Sequence, residues 1–177
     1  MSETIFTYHT SQHDIGSYTT VFENNLLCFL GIGPDAAVEA LAQWPTAEPV
    51  TNPETLALIE TLLTAPRLKV ECVLYGNPLQ VDVWNELTKI PYGATMTYQE
   101  IAQRIGRPEA VRAVANAIGR NQISVVIPCH RVIGSDGTMR GYRWGIEVKE
   151  ALLKQEKEAK EKIVQKVEKL IKSRQLG

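Results

Sequence analysis

Chemistry concentrates at Ile127-Pro128-Cys129-His130-Arg131-Val132, where a thiol and an imidazole stand side by side. The thiolate is the reactive form of cysteine, and a free thiol near pKa ~8.5 needs a neighbouring base or cation to reach it at neutral pH. Pro128 lacks an N–H and has a fixed φ, so it ends strand pairing and re-aims the chain. An apolar run, Val125-Val126-Ile127, reads as a strand leading to the proline. The thiol is then expected at a strand end, where a site can open. Taken alone, Cys129 reads more readily as a buried, inert small residue, and neighbours along an extended strand face opposite ways. His130 reaches the thiol only at a turn or through water.

The other two cysteines, Cys28 and Cys72, are widely spaced, and three is an odd number. That is no disulfide framework, so a reducing, intracellular setting is expected. No zinc-type Cys-x-x-Cys pair stands out. His9 and His13 lie four apart, but Thr10, Ser11 and Asp14 make that stretch read as loop, and no metal site is expected. A composition of 44% hydrophobic and 22% charged residues is that of an ordinary globular protein. No apolar run approaches the ~20 residues of a membrane span, and Met1-Ser2-Glu3-Thr4 lacks the basic start of a signal peptide.

Net charge is only −1, but its distribution is uneven. Residues 1–78 hold nine acids against two bases, whereas residues 100–145 hold seven arginines, no lysine and three acids. An arginine-rich segment beside an acidic half predicts one surface facing an anion. Arginine without lysine favours planar, bidentate or stacking contacts.

The elements that position these residues follow from periodicity and caps. Tyr18–Phe22 and Leu26–Leu30 read as strands joined at Asn24-Asn25, since asparagine tolerates positive φ. Pro34 to Trp44 predicts a helix with Ala37, Val38, Leu41 and Trp44 on its inner face, stopped by Pro45. Asn52-Pro53 opens a second helix, carrying Leu56, Ile59, Leu62 and Leu63 and ending before Pro66. Leu68 to Tyr75 reads as a strand with Val70, Cys72 and Leu74 on one face. Gly76-Asn77-Pro78 marks a domain boundary, with Asn77 as cap of a helix bearing Leu79, Val83, Trp84 and Leu87.

Thr97-Tyr98-Gln99-Glu100 is a capping box for a helix carrying Ile101, Ala102 and Ile105 and ending at Gly106. A second helix, Ala110 to Ile118, turns Val111, Val114, Ala115 and Ile118 inward. Two short helices across a tight turn resemble a helix-turn-helix, and equally two amphipathic helices packing a core. Ala110, Ala113 and Ala117 are small enough for close approach to a surface, and Arg112 is expected on the outer side. Gly134–Gly137 is a turn, and Gly141-Tyr142-Arg143-Trp144-Gly145 is a glycine-flanked aromatic loop suited to a flat ligand. A helix begins near Ile146 and runs on as a Lys/Glu-rich tail with a stripe of Ile163, Val164, Val167, Leu170 and Ile171. The tail can dock on the domain, pair with another helix, or extend into solvent; the last is the favoured expectation.

These residues carry a resemblance. Ile-Pro-Cys-His-Arg-Val at 127–132 resembles the active-site signature of the O6-alkylguanine-DNA alkyltransferases, the methylated-DNA–protein-cysteine S-methyltransferases. The likeness extends through Thr97–Ala102, Arg112–Ala117, Asn121, Gly141–Gly145 and the Lys149-x-x-Leu152-Leu153-x-x-Glu156 pattern. It is similar in particular to the bacterial type, including the alkyltransferase domain of the adaptive-response regulator. It is strong over residues 77–156 and weaker over 1–76.

The resemblance implies an α/β N-terminal domain of ribonuclease-H-like type over 1–76. A mainly α domain with a helix-turn-helix, winged-helix-like, would follow over 77–156, then a helical tail over 157–177. It implies stoichiometric transfer of the alkyl group of O6-methylguanine in double-stranded DNA, with O4-methylthymine as a further substrate, to Cys129, which is thereby spent. In that reading His130 joins the thiol through a water, and Glu156 orients His130. Asn121 braces the turn and Tyr98 contacts the flipped guanine. Arg112 fills the gap in the base stack, and Ala110, Ala113 and Ala117 lie against the DNA. The backbone of Val132 and of Tyr142, Arg143, Trp144 and Gly145 lines the base pocket, with Lys149 near the active site. No cofactor and no membrane partner are implied. A monomer is expected, in the cytoplasm or, in a eukaryote, the nucleus.

Gln122 stands where many relatives have proline, which predicts a looser turn, and the zinc ligands of some relatives are absent. Alkyltransferase-like lesion sensors lack the cysteine, so Cys129 argues against a sensor. A cysteine hydrolase using Cys129 and His130 would need an oxyanion hole that nothing in the sequence marks. Likeness to the regulator also suggests a gene-regulatory use of the methylated form.

Overall fold

The computed structural model describes residues 2–64 and 69–175. Three antiparallel strands open the chain: β1 (Phe6–His13), β2 (Gly16–Glu23) and β3 (Leu26–Ile32). Asn24 and Asn25 both take positive φ, 47° and 70°, as a two-residue hairpin turn between right-twisted strands requires. After helix α1 (Pro34–Gln43), strand β4 (Glu48–Pro49) adds parallel to β1, giving a mixed sheet in the order β3-β2-β1-β4. The expectation of a loop around His9 and His13 is corrected: both lie on β1, where Ser11 hydrogen-bonds His13 at 3.1 Å. Ladder pairing with β2 along the whole strand overrides its polar composition.

Tyr18 to Phe22 and Leu27 to Ile32 are buried without alternation because both sheet faces are covered. Val21, Cys28 and Phe29 pack under α1, whereas Phe22, Leu27 and Leu30 join a core shared with the C-terminal helices. The inner face of α1 differs from the expected one. Ala36, Ala40 and Trp44 are buried, while Val38 is 71% exposed and Leu41 39%. Close approach decides this: a Cβ on Gly31 of β3 would meet the Ala36 Cβ at 2.6 Å and the Trp144 ring at 2.8 Å. Only small side chains fit beneath the helix.

Helix α2 (Pro53–Thr64) starts with the Asn52 side chain accepting from the Glu54 N–H, and buries Ile59 and Leu62. Its expected end before Pro66, and Leu68 of the expected Leu68–Tyr75 strand, lie outside the described residues. From Lys69 onward that strand reduces to one parallel bridge, Cys72 beside Leu27. Helix α3 (Pro78–Leu87) carries the Asn77–Gln80 capping box, and the Trp84 indole donates to the Ala117 carbonyl at 2.8 Å.

Strand β5 (Met96–Thr97) pairs in parallel with β6 (Val132–Ile133), and helix α4 (Tyr98–Arg104) begins at the Thr97–Glu100 capping box. Gly106, at φ 74°, turns the chain toward α5 (Val111–Gly119), which buries Val114, Ala117 and Ile118. Helix α6 (Ile146–Gln175) is continuous through the tail. It buries Lys149, Leu152 and Glu156, and every described residue beyond Lys160 is exposed, the favoured arrangement for that segment.

Candidate active site

The expected strand over Val125–Ile127 is not formed. Ile123 makes one bridge to Leu30 of β3, and the chain then coils through a tight turn into a 3-10 helix, Cys129–Arg131. Asn121 holds this turn. Its amide donates to the carbonyls of Ile127 (2.9 Å) and Ile123 (3.4 Å), and its carbonyl accepts from the Ile123 N–H at 3.0 Å. These bonds satisfy backbone groups that a strand would have paired. They also over-determine the turn enough to keep Val125 at φ 70°, a costly conformation for a β-branched residue. Gln122, expected to loosen the turn, exchanges side-chain hydrogen bonds with Gln43 of α1.

The turn buries Cys129, which is 6% exposed. Burial pushes the thiol up from its ordinary value, while the Asn121 amide, the Lys149 ammonium and the Tyr142 hydroxyl favour the thiolate. Burial likewise holds the His130 imidazole below its usual range, partly offset by its bond to Glu156. The resting pair is therefore a neutral thiol and a neutral ring.

Glu156 fixes the tautomer of that ring. Burial alone would raise its carboxyl, but hydrogen bonds from His130 and Arg131, together with the Arg131 charge, outweigh burial and hold it at about 2. An ionised carboxylate only accepts. The 2.8 Å contact with His130 Nε2 thus places the proton on Nε2, leaving Nδ1 as the bare lone pair. His130 Nδ1 is buried without a hydrogen-bond partner among the described residues. It is the free base of the site.

Arg131 was not singled out from the sequence, where it counted among the cations facing an anion. It is buried instead, with Nε and Nη2 bonding the Glu156 carboxylate at 2.8–3.1 Å and Nη1 bonding the Ile90 carbonyl. A fork that satisfies a carboxylate and a backbone carbonyl together is what makes a buried ion pair tolerable. The only cue was its adjacency to Cys-His.

A cavity of about 40 Å³ holds the thiol, lined by Tyr98, Ile118, Asn121, Cys129, Tyr142 and Arg143 among others. It lies at the inner end of a groove of about 660 Å³, and Tyr98, Ala115, Gly119, Gly141, Tyr142 and Arg143 line both. Arg112, Arg120, Arg140 and Arg143 border the groove, and no acid among the described residues does. Burial raises the Tyr98 hydroxyl, and a charge on Cys129 would raise it further. The Tyr142 hydroxyl is buried beside Cys129 and Ser124, outside hydrogen-bond geometry to either, and burial pushes it well above its usual range.

The remaining expected site residues are placed as follows. Ala117 is 2% exposed beneath Trp84, so it is corrected from the outer to the inner face of α5, whereas Ala113 is exposed and Ala110 half-buried before the helix. Val132 is buried in β6. Trp144 packs on Phe29 and Gly31 and donates to the Ser124 hydroxyl at 2.6 Å, rather than lining the cavity. Gly145, at φ 103°, starts α6. Lys149 is buried, donates to the Arg140 carbonyl at 3.0 Å, and sits 5.9 Å from the Tyr98 ring centre. Among the described residues, no group of three or more His, Cys, Asp or Glu side chains is arranged to hold a metal ion. No helix among the described residues is long and apolar enough to cross a membrane.

Residues 78–158 match the family model described as 6-O-methylguanine DNA methyltransferase, DNA binding domain. A methylated-DNA–protein-cysteine methyltransferase of Kluyveromyces lactis is 53% identical over 83 residues, 47% of this chain and 44% of that protein. The match spans between a quarter and about half the length of the first curated relatives. Over the whole fold, the crystal structure of Mycobacterium tuberculosis O6-methylguanine methyltransferase is similar at TM-score 0.75 and 35% identity. That likeness covers 87% of this chain and 94% of the other. A Mycobacterium tuberculosis OGT in complex with DNA is similar at TM-score 0.74 and 36% identity, covering 86% and 93%.

Proposed function

The chain belongs to the O6-methylguanine methyltransferase family, and from that premise we propose that it repairs DNA by moving the methyl group of O6-methylguanine onto Cys129. One observation carries the reading: a buried thiol, next in the chain to a histidine whose Nδ1 has no hydrogen-bond partner among the described residues, lies at the end of a groove bordered by four arginines. A DNA-free hydrolase has no use for that groove. A lesion sensor has no use for the thiol.

The residues divide the work as follows. The reactive carbon lies inside a duplex, so the base is flipped out at a cost of a few kcal/mol. Arg112, exposed on α5 at the groove, fills the space left in the stack. Ala113 allows the helix–turn–helix formed by α4 and α5 to approach the minor groove closely. Tyr98, at the junction of groove and cavity, contacts the extruded guanine. The Cys129 proton passes through a water to His130 Nδ1, and Glu156 stabilises the resulting imidazolium. Lys149 and Asn121 stabilise the thiolate.

The sulfur then displaces the guanine oxygen from the methyl carbon. A C–O bond breaks, a C–S bond forms, and guanine regains a proton, with Tyr98 as donor. The product thioether has no leaving group, so each chain acts once, as a monomer and without cofactor. O4-methylthymine is the second substrate of this reading. The sheet half is ribonuclease-H-like and the helical half, 77–156, winged-helix-like in the same proposal.

The test is stoichiometry. A duplex carrying O6-methylguanine is mixed with sub-stoichiometric protein, and remaining lesion is counted. Repair is expected to stop at one lesion per chain. Continued turnover would indicate hydrolysis, and binding without loss of lesion a sensor.

A further inference from the structure

Helix α1 belongs to the half of the chain that carries no visible chemistry in its sequence, yet it touches the cavity wall at one point and the turn that carries Cys129 at another. Glu39 forms an ion pair with Arg143, which lines both cavity and groove. One turn further along the same helix face, Gln43 exchanges hydrogen bonds with Gln122, next to the Asn121 that braces the nucleophile turn. Arg143 is thus held on three sides. Nη2 meets Glu39, Nη1 donates to the Asn121 carbonyl at 3.0 Å, and the guanidinium lies 4.9 Å from the Trp144 ring centre. Trp144 is itself seated on Gly31 of β3, where any side chain would collide with it. The buried face of α1, Ala36 and Ala40, packs on that same glycine strand. Helix α1 therefore cannot shift without moving the wall.

From this geometry we infer that Glu39 is a positioning residue that pins Arg143 across the cavity mouth and so sets the size of adduct admitted to Cys129. The inference rests on the alkyl-transfer reading above. A guanidinium held by carboxylate, carbonyl and indole has a fixed place, so the mouth has a fixed width. Released from Glu39, Arg143 keeps the carbonyl and the ring but gains freedom to swing into the solvent-filled groove. A small adduct gains little from that freedom, whereas a bulky one gains entry. Glu39 is half-exposed and touches neither base nor thiol, so its replacement leaves the nucleophile and its base intact.

The experiment measures single-turnover rates on two duplexes that differ only in carrying O6-methylguanine or O6-benzylguanine. Wild type, Glu39→Gln, Arg143→Ala and the double variant are compared. The methyl-to-benzyl rate ratio is expected to fall roughly two- to fivefold in Glu39→Gln, the range that a partly exposed ion pair supports. Arg143→Ala is expected to lower it at least as far, and Glu39→Gln to add nothing in that background. An unchanged ratio in Glu39→Gln, or an effect that persists without Arg143, would overturn the inference while leaving alkyl transfer standing. Failure of wild type to accept a methyl group would overturn both.

Discussion

Replacing Glu156 by glutamine removes a charge that three buried groups depend on. The carboxylate accepts from His130 Nε2 and from two nitrogens of Arg131, and both residues are buried with it. Its carboxyl is held at about 2, against an ordinary 4.5, by those hydrogen bonds and charges acting over the opposing effect of burial. At about 1.4 kcal/mol per unit, the depression corresponds to about 3 kcal/mol of folding stability at neutral pH. The loss on stripping a buried cation of its partner is of similar size, about 3–5 kcal/mol. A folded-state value below the unfolded one means that the unfolded chain takes the proton first. The stabilisation is therefore complete above about pH 5 and is lost as pH falls from there toward 2. Urea unfolding at a series of pH values, followed by tryptophan fluorescence, reads this directly. The gap between wild type and Glu156→Gln is expected to be about 3 kcal/mol near pH 7 and to narrow steadily below about pH 5. A gap under ~1 kcal/mol, or one that stays constant on acidification, would refute the carboxylate's role as the anionic centre of this network.

Three further outcomes follow from other contacts. Arg112→Ala is expected to slow repair of duplex DNA far more than reaction with free O6-benzylguanine, which needs no extrusion; single-turnover rates on both substrates measure it. Asn121→Ala leaves the buried Ile123 N–H unpaired and removes the amide's bonds to the Ile123 and Ile127 carbonyls, and is expected to cost about 1–3 kcal/mol in denaturant unfolding while slowing alkyl transfer. Gly31→Ala places a methyl group 2.6 Å from the Ala36 Cβ, and a loss of about 1–3 kcal/mol is expected by thermal or chemical unfolding.

Local signals were legible wherever the chain decides its own conformation. The Asn24-Asn25 turn, the Asn77 and Thr97 capping boxes and the Gly106 stop each rest on a few adjacent residues, and each is present. The pairing of His130 with Glu156 was reached through motif likeness, and the two meet at 2.8 Å. What periodicity misjudged was decided by distant contacts. Polar β1 exists because β2 pairs with it along its full length. The buried face of α1 was misassigned because hydrophobicity favoured Val38 and Leu41, whereas the space above Gly31 admits only alanine. Val125-Val126-Ile127 has strand composition, yet Asn121 ties its ends together through hydrogen bonds that no pattern of apolar residues encodes. The pairs Glu39–Arg143 and Gln43–Gln122 join residues far apart in the chain and lie beyond any local reading.

The central claim is that Cys129, and no other thiol, becomes the methyl acceptor. Cys28 and Cys72 are free, but burial pushes them up to about 12 and about 11, and neither lines the arginine-bordered groove. Intact-protein mass followed by peptide mapping, after mixing with a duplex bearing one O6-methylguanine, tests this most directly. The account predicts a gain of a single methylene mass per chain, confined to the peptide containing Cys129 and absent in Cys129→Ser. A methyl group on Cys28 or Cys72, or a gain that survives Cys129→Ser, would contradict it.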